Sequence, residues 1–311
     1  MTASNQSAPA PKDGFSARVE RLLPELAIAS VVMIWSLTGV VIKDTYDYVQ
    51  PLALTVTRFA LILLIAVVAL GVYRRRTGAS LGVARKDLPR LILSGLTGYT
   101  IYQFCYVLGL DRSTAFAAAV LGSMTPVYTI VLLALMGEQT PLFGWIGTLI
   151  SFCGALVFVA GNGAIEGGSL SGTLLLAAAP LSFAIYSIIS RPLIKMYPTP
   201  VFTVYTLLFG SIPIFIAGAP QWHDQDWSAL PTRTWFVILY LAIFPVYLAY
   251  QFWNYGIKHL GVATVSTYSL LIPVFGGIFA VLLLDESFTA LMVIGGVIVL
   301  AGLGVMRLAR R

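Results

Sequence analysis

The sequence is poor in charged residues. Of its 311 residues, 10% are charged and 58% are apolar, whereas a soluble globular protein carries about 25% charged residues. A water-soluble domain of this size needs a polar surface that 19 basic and 13 acidic residues cannot readily supply. This shortage excludes an ordinary soluble enzyme. It predicts an all-α membrane protein, because a helical bundle in lipid needs an apolar outer surface.

Acidic residues are missing from the middle of every apolar run. Glu25 begins one run, and Glu138, Asp285 and Glu286 stand at the ends of others. A carrier that couples directly to protons usually needs a carboxylate at membrane depth. The sequence therefore disfavours proton coupling through a carboxylate.

Motifs of catalysis and metal binding are also missing. The two cysteines, Cys105 and Cys153, lie in apolar runs without CxxC spacing, which excludes a disulfide framework and a cysteine metal site. The sequence has no P-loop, GxSxG or HExxH motif, so nucleotide-driven pumping and intramembrane hydrolysis have no local support. We predict no catalytic residue, no metal and no cofactor.

What the sequence does have is ten apolar runs. One membrane crossing takes about 20 mostly apolar residues. The runs cover 22–42, 52–73, 89–110, 114–136, 142–161, 170–190, 200–219, 233–255, 261–284 and 289–306. They predict ten transmembrane helices, flanked by a disordered tail over 1–21 and a short basic tail over 307–311.

The basic residues are distributed unevenly between the two membrane faces that this topology defines. Fifteen of the 19 Lys and Arg residues lie on the face of the two ends, whereas Lys43, Arg112 and Arg233 lie on the opposite face and Arg58 lies inside the second run. The positive-inside rule then predicts that both ends are cytoplasmic. It also accounts for the net charge of +6 without a nucleic-acid partner.

The sequence repeats itself at an offset of 148 residues. Tyr102-Gln103-Phe104 recurs as Tyr250-Gln251-Phe252, Ala115 as Ala263, Glu138 as Glu286, Gly147 as Gly295 and Gly154 as Gly302. The matches predict two five-helix halves, residues 22–161 and 168–306, with an outer connection over 162–167. Each half has an odd number of crossings, so the second enters the membrane from the opposite side. Such inverted repeats are typical of alternating access.

Two polar and aromatic stripes occupy corresponding helices of the halves. Tyr99, Tyr102, Gln103 and Tyr106 share one face of the third helix at spacings of three and four residues, and Tyr247, Tyr250, Gln251 and Asn254 repeat them in the eighth. Unpaired amides are costly in lipid, so we predict that these faces line a substrate cavity. The alternative is an interfacial aromatic belt with glutamines that bridge helices.

Trp35 and Thr38 of the first helix have a spacing similar to that of Phe183, Tyr186 and Ser187 of the sixth. We predict that they extend the cavity wall, with plain packing as the alternative. Pro126 and Pro273 lie near the middle of the fourth and ninth helices. Since proline removes a backbone hydrogen bond, the pair is predicted to form hinges, with a static kink as the alternative.

Arg58 is the one cation predicted at membrane depth. It is expected either to contact a substrate carboxylate or to extend its head group to the outer surface. Gly147 and Gly154, with Gly295 and Gly302, recur seven residues apart on one helical face. They predict close helix contacts.

The sequence resembles a known family in several motifs. These are Trp35-Ser36 in the first helix, the run from Pro51 to Thr57-Arg58-Phe59, Pro126, and Glu138 followed by the Gly147/Gly154 helix. Together with ten helices in two inverted halves, they resemble the EamA-type exporters of the drug/metabolite transporter superfamily, most of all the YddG-type exporters of aromatic and neutral amino acids. The resemblance implies a bacterial inner-membrane exporter with a central cavity between the halves.

We therefore predict a carrier that exports aromatic or large neutral amino acids, or related metabolites, by alternating access. A broad drug or nucleotide-sugar carrier is the alternative within transporters; an intramembrane enzyme and a structural or receptor protein are alternatives of other classes. The expected partners are the lipid bilayer and a small-molecule substrate, with no nucleic acid. The oligomeric state stays open, with a monomer as one option.

Overall fold

The computed structural model describes residues 14–113, 118, 121–139, 141–161, 169–284 and 290–308. These residues form helices and connecting turns, with no β-strand among them. The first half contains α1 (Gly14–Thr45), α2 (Pro51–Thr77), α3 (Leu88–Gly95, continued through Leu96–Ile101 and Tyr102–Asp111), α4 (Thr125–Leu135) and α5 (Leu142–Gly161). The second half contains α6 (Leu170–Met196), α7 (Thr199–Asp224), α8 (Thr232–Ala242, continued through Ile243–Leu248 and Ala249–Leu260), α9 (Val262–Tyr268, Ser269–Leu271 and Ile272–Leu284) and α10 (Ala290–Leu308).

These helices have the length and composition of membrane spans. Seven of the described helices are long and apolar enough to cross a bilayer, and apolar segments of α4, α5 and α10 are shorter. The predicted all-α membrane fold is confirmed. Helix α1 begins at Gly14, so residues 14–21 are helical where a disordered tail is expected. Residues such as Ala17, Arg18 and Glu20 are good helix formers and continue the helix beyond its apolar part.

Some of the predictions fall outside the described residues. These are the rest of the tail (1–13), the connection over 162–167, the last three residues (309–311), and the repeat members Ala115 and Glu286.

Helix packing follows a pseudo-twofold pattern. Helix α1 packs against α8 and α9, and its counterpart α6 packs against α3 and α4. Two further interfaces join a helix to its own counterpart, α2 to α7 and α5 to α10. The predicted pair of inverted five-helix repeats is confirmed by this exchange of equivalent contacts.

Turns lie shortly before the prolines of α4 and α9. A turn at residues 123–124 precedes Thr125–Leu135, and a 3₁₀ turn over Ser269–Leu271 precedes Ile272–Leu284. Pro126 and Pro273 are the second residues of the segments that follow. A proline is tolerated there because the first-turn amides of a helix have no intrahelical acceptor. The hinge role of this pair stays a prediction.

Helices α5 and α10 approach each other through their glycines. A Cβ atom added to Gly154 would lie 2.7 Å from the Val299 nitrogen, and one added to Gly302 would lie 2.7 Å from the Gly147 oxygen. The Ser151 hydroxyl donates a hydrogen bond to the Val299 carbonyl across this contact, at 3.1 Å. The predicted close contact of small residues is confirmed.

Replacing Gly302 with alanine should lower the stability of the protein. The new methyl group would meet backbone atoms of α5 that cannot move aside, and overpacking of this kind costs about 1–3 kcal/mol. The matched control is Gly304→Ala on the same helix, where an added Cβ meets nothing within 4 Å. Thermal unfolding of the two purified variants in detergent measures the difference; equal melting temperatures would contradict the described contact.

Candidate functional site

A pocket lies between the two halves of the bundle. Helices α1, α2 and α3 of the first half and α8 of the second half surround it. Its lining consists of Trp35, Thr38, Ile42, Arg58, Tyr102, Gln103, Tyr106, Pro245, Val246 and Tyr250.

The pocket occupies one side of the membrane region. We call the face where α1 begins and α10 ends the terminal face. Trp35 lies ten residues before the far end of α1, at Thr45, and Arg58 lies seven residues after α2 begins at Pro51. At a rise of about 1.5 Å per residue, both lie about 10–15 Å from the opposite face. The pocket therefore lies in the half of the bundle that is remote from the terminal face.

Arg58 is buried in this pocket, with 1% of its surface exposed. Its Nη2 atom donates long hydrogen bonds to Gln103 Oε1 at 3.4 Å and Thr55 Oγ1 at 3.5 Å. Its Nε atom is buried without a hydrogen-bond partner. Among the described residues, no carboxylate lies within ion-pair distance of the guanidinium. The alternative that Arg58 extends to the outer surface is wrong, because the side chain is enclosed by α2, α3 and the pocket.

A cluster of aromatic rings separates the pocket from the terminal face. This aromatic layer consists of Trp35, Tyr99, Phe183, Tyr186, Tyr250 and Trp253. The ring centroids of Trp35 and Trp253 are 5.3 Å apart, and Tyr99 stacks on Tyr250 at 4.3 Å. Rings at these distances are in contact, so the layer is a packed aromatic cluster on the terminal side of the pocket.

Polar contacts also join the two halves at the terminal face. Glu138 of the first half pairs with Arg191 of α6. The Tyr197 hydroxyl donates a hydrogen bond to Asp87 Oδ2 at 2.6 Å and accepts one from the Ala84 amide at 3.0 Å. The hydrogen bond to the Asp87 carboxylate raises the pKa of Tyr197, since it favours the protonated phenol. The connection between α2 and α3 is thereby tied to the connection between α6 and α7.

The backbone of α3 and α8 departs from α-helical geometry next to the aromatic layer. Leu96–Ile101 and Ile243–Leu248 are π-helical, a rare geometry that is frequent at functional sites. In both segments a carbonyl accepts a hydrogen bond from a side chain of the opposite half. Ser182 Oγ donates to the Thr97 carbonyl at 2.7 Å, and Trp35 Nε1 donates to the Pro245 carbonyl at 3.1 Å.

The two accepting residues, Thr97 and Pro245, are 148 apart and thus equivalent in the repeat. The Tyr250 hydroxyl also donates to the Gly98 carbonyl. A side chain at Gly98 would run into the ring of Tyr186, whose Cγ atom would lie 2.7 Å from an added Cβ. Glycine is therefore required for the close approach of α3 and α6.

The second-half stripe is mostly engaged in packing. Asn254, which is fully buried, accepts a hydrogen bond from the Tyr186 hydroxyl at 2.8 Å and donates one to Thr203 Oγ1 at 3.1 Å. Thr203 in turn donates to Gln251 Oε1 at 3.3 Å. This network joins α6, α7 and α8 on the terminal side of the aromatic layer.

The predicted residues therefore separate into two groups. The pocket brings together Trp35, Thr38, Arg58, Tyr102, Gln103, Tyr106 and Tyr250. The structure places Tyr99, Tyr186, Tyr247, Gln251 and Asn254 outside its lining, in the aromatic layer, the polar network or the adjoining face of α8. Their roles in substrate binding stay predictions.

The separation follows the repeat in part, since Tyr99 of the first half lies outside the lining and Tyr250 of the second half lies in it. Thr55, Arg58 and Gln103 correspond to Thr203, Thr206 and Gln251 at the 148-residue offset. Arg58 and Gln103 line the pocket, whereas Thr203, Thr206 and Gln251 lie outside its lining.

Sequence reasoning missed three lining residues, Ile42, Pro245 and Val246. Ile42 lies one turn beyond Thr38 on the same face of α1, so the helical period could have indicated it. Pro245 and Val246 lie in the π-helical segment of α8. A proline five residues before Tyr250 was the one available signal for a distorted backbone there.

No metal centre is evident in the part of the chain that the structure describes, where no three His, Cys, Asp or Glu side chains cluster. The chemistry that the pocket offers is aromatic contact, amide and hydroxyl hydrogen bonding, and one cation.

Replacing Asn254 with alanine should destabilise the fold. The change leaves the buried hydroxyl of Tyr186 without its acceptor, and an unsatisfied buried polar group costs about 1–3 kcal/mol. Gln251→Ala is the matched control, because this half-buried amide shares Thr203 with Asn254. Thermal unfolding in detergent should show the larger loss for Asn254→Ala. The reverse order would contradict the network.

Comparison with known proteins decides the family. The model of the EamA-like transporter family matches residues 22–160 and again residues 170–308. The chain belongs to the EamA-like transporter family. The two matches are offset by 148 residues and thus coincide with the repeat. This EamA-like chain is a membrane transporter with multiple membrane-spanning helices.

Several relatives of this EamA-like transporter carry functional names. It is 26% identical over 289 residues to a "Probable terminal-alkyne amino-acid exporter" of Streptantibioticus cattleyicolor, covering 92% of this chain and 93% of that protein. It is 27% identical over 307 residues to a "Probable amino-acid metabolite efflux pump" of Salmonella typhimurium, covering 94% of this chain and 93% of that protein. A solved structure titled "Crystal structure of protein" shares the fold, with a TM-score of 0.75 at 22% identity over 93% of this chain and 99% of that chain.

Proposed function

We propose that this transporter exports aromatic or large neutral amino acids, or closely related metabolites, by alternating access. The observation that carries the proposal is the pocket between the halves, which combines aromatic rings with a single buried cation. In the proposal, residues 22–161 and 168–306 act as the two units that move against each other.

The pocket chemistry supports an amphipathic substrate. Trp35, Tyr102, Tyr106 and Tyr250 offer ring faces for an apolar side chain. Arg58 and Gln103 offer hydrogen-bond donors for a carboxylate at the same site. Relatives named as amino-acid exporters and efflux pumps point to the same substrate class.

The competing functions fit this pocket less well. A nucleotide sugar carries two phosphates and needs several cations, whereas Arg58 is the one basic residue of the described lining. An enzyme needs a nucleophile or an acid–base pair at the site, and the described lining contains no Cys, His, Asp or Glu. We therefore propose transport without catalysis.

The orientation in the membrane is part of the proposal. The excess of Lys and Arg on the terminal face supports a cytoplasmic location for both ends, in the bacterial inner membrane. The pocket then lies in the outer half of the membrane and the aromatic layer lies between it and the cytoplasm.

Counterflow in proteoliposomes tests the proposal. Vesicles that contain the purified protein and unlabelled phenylalanine should take up radiolabelled phenylalanine faster than protein-free vesicles. The same measurement with a panel of neutral amino acids, inside and outside the vesicles, defines the range of substrates. If no member of the panel exchanges, the proposed substrate class is wrong.

Tyr106→Ala should reduce this exchange about fivefold or more. Tyr106 stacks with Tyr102 at 5.8 Å in the pocket wall, and loss of an aromatic contact weakens binding by about 0.5–1.5 kcal/mol beyond lost area. Tyr255→Ala is the matched control, because Tyr255 lies in α8 outside the pocket and contacts His259. An unchanged rate in Tyr106→Ala, at equal expression, would remove this ring from the substrate site.

A further inference from the structure

The pocket has a charge imbalance that sets which end of a substrate it can recognise. Its described lining includes one cation, Arg58, and no Asp or Glu. We propose that the pocket recognises the carboxylate of its substrate through Arg58 and has no ionic partner for the ammonium group. Aromatic carboxylic acids that lack an amino group are then ligands of the same site. The inference rests on the proposed function and names the chemical group that the pocket selects.

The guanidinium has unused hydrogen-bonding capacity. Its two contacts, with Gln103 and Thr55, are at 3.4 and 3.5 Å, whereas charge-assisted bonds of this kind are about 2.7–2.9 Å long. Its Nε atom has no partner at all. A carboxylate can accept two parallel N–H bonds from Nε and one Nη atom, which is the arrangement that arginine favours.

The equivalent place in the second half holds no charge. The residue equivalent to Arg58 in the second half is Thr206, which is also fully buried. Its hydroxyl donates to the Phe202 carbonyl of its own helix at 3.0 Å. A small neutral residue thus packs between the equivalent helices. A buried cation without a counterion is costly, so the presence of Arg58 points to an anion that binds during the transport cycle.

The same lining offers little to an ammonium group. The Pro245 carbonyl already accepts from Trp35, and Gln103 Oε1 already accepts from Arg58. The Thr38 hydroxyl donates to the carbonyl of Ile34 at 2.7 Å. What remains for a cation is second lone pairs of neutral oxygens and the faces of the aromatic rings, which are weak partners beside a carboxylate. A monoanion neutralises the occupied site, whereas a zwitterion leaves a net positive charge there.

Three compounds that all contain a phenylethyl unit distinguish recognition of the carboxylate from recognition of the ammonium group. L-phenylalanine carries both groups, 3-phenylpropanoate retains the carboxylate alone, and phenethylamine retains the amine alone. Their binding to the purified full-length protein at neutral pH is measured from ligand-induced thermal stabilisation, which depends on affinity and not on transport. We expect 3-phenylpropanoate to bind at least as tightly as phenylalanine and phenethylamine to bind about tenfold or more weakly.

Other orders of affinity overturn the proposal. It fails if phenethylamine binds as tightly as 3-phenylpropanoate, if the deaminated acid binds about tenfold more weakly than phenylalanine, or if none of the three compounds binds. Counterflow separates this failure from that of the proposed function. Exchange of amino acids without binding of 3-phenylpropanoate would leave transport standing and remove carboxylate selection. Binding of the acid without amino-acid exchange would leave carboxylate selection standing and remove the proposed amino-acid transport.

Variants at Arg58 connect the selectivity to this side chain. Arg58→Gln should abolish the preference for the acid over the amine, whereas Arg58→Lys should keep the preference with weaker binding, because lysine retains the charge and loses the two-pronged geometry. Arg233→Gln is the control, since Arg233 is largely exposed and remote from the pocket. If Arg58→Gln does not fold, the affinity order of the three compounds for the unmodified protein and for Arg58→Lys still tests the proposal. An unchanged preference in Arg58→Gln refutes the assignment.

Discussion

A bilayer supplies no water to the backbone, so each amide and carbonyl within it must find a hydrogen-bond partner inside the protein. Regular helices meet this constraint by themselves. In the irregular segments of this protein, side chains of other helices contribute hydrogen bonds as well. Trp35 and Ser182 donate to carbonyls of the two π-helical segments. The side chains that donate to these backbone carbonyls therefore also join the two halves around the pocket.

This dependence explains which parts of the structure could be predicted from the sequence. Helix number and the repeat arise from local composition and from matches such as Tyr102-Gln103-Phe104, so each stretch of sequence contains its own evidence. The wall formed by Tyr102, Gln103 and Tyr106 follows from helical periodicity. The π-helical segments could not be predicted in this way, because their carbonyls are satisfied by residues such as Trp35 that lie far away along the chain.

The second-half stripe shows a different limit to prediction from the sequence. Gln251 matches Gln103 in sequence, yet it lies among Thr203 and Asn254 rather than in the pocket. Equivalent residues share a local structure but not an environment, since a cavity on one side of the membrane breaks the twofold relation. Sequence symmetry identifies equivalent positions, but it does not show which member of each pair lines the pocket. The second half has Thr206 at the position equivalent to Arg58, and no exchange of conformation can remove this chemical difference between the halves.

The contact of α5 with α10 has a consequence for the energetics of movement. If the inverted halves exchange conformations as proposed, the α1–α8 interface takes the form of the α6–α3 interface, and the reverse. The α5–α10 interface, like that of α2 with α7, is carried onto itself. The two helices keep the same partner in both cavity orientations of the proposed cycle, so only sequence differences between them, such as Ser151 against its equivalent Val299, distinguish the two states of this contact. Such an interface can stay tight in both orientations of the proposed cycle.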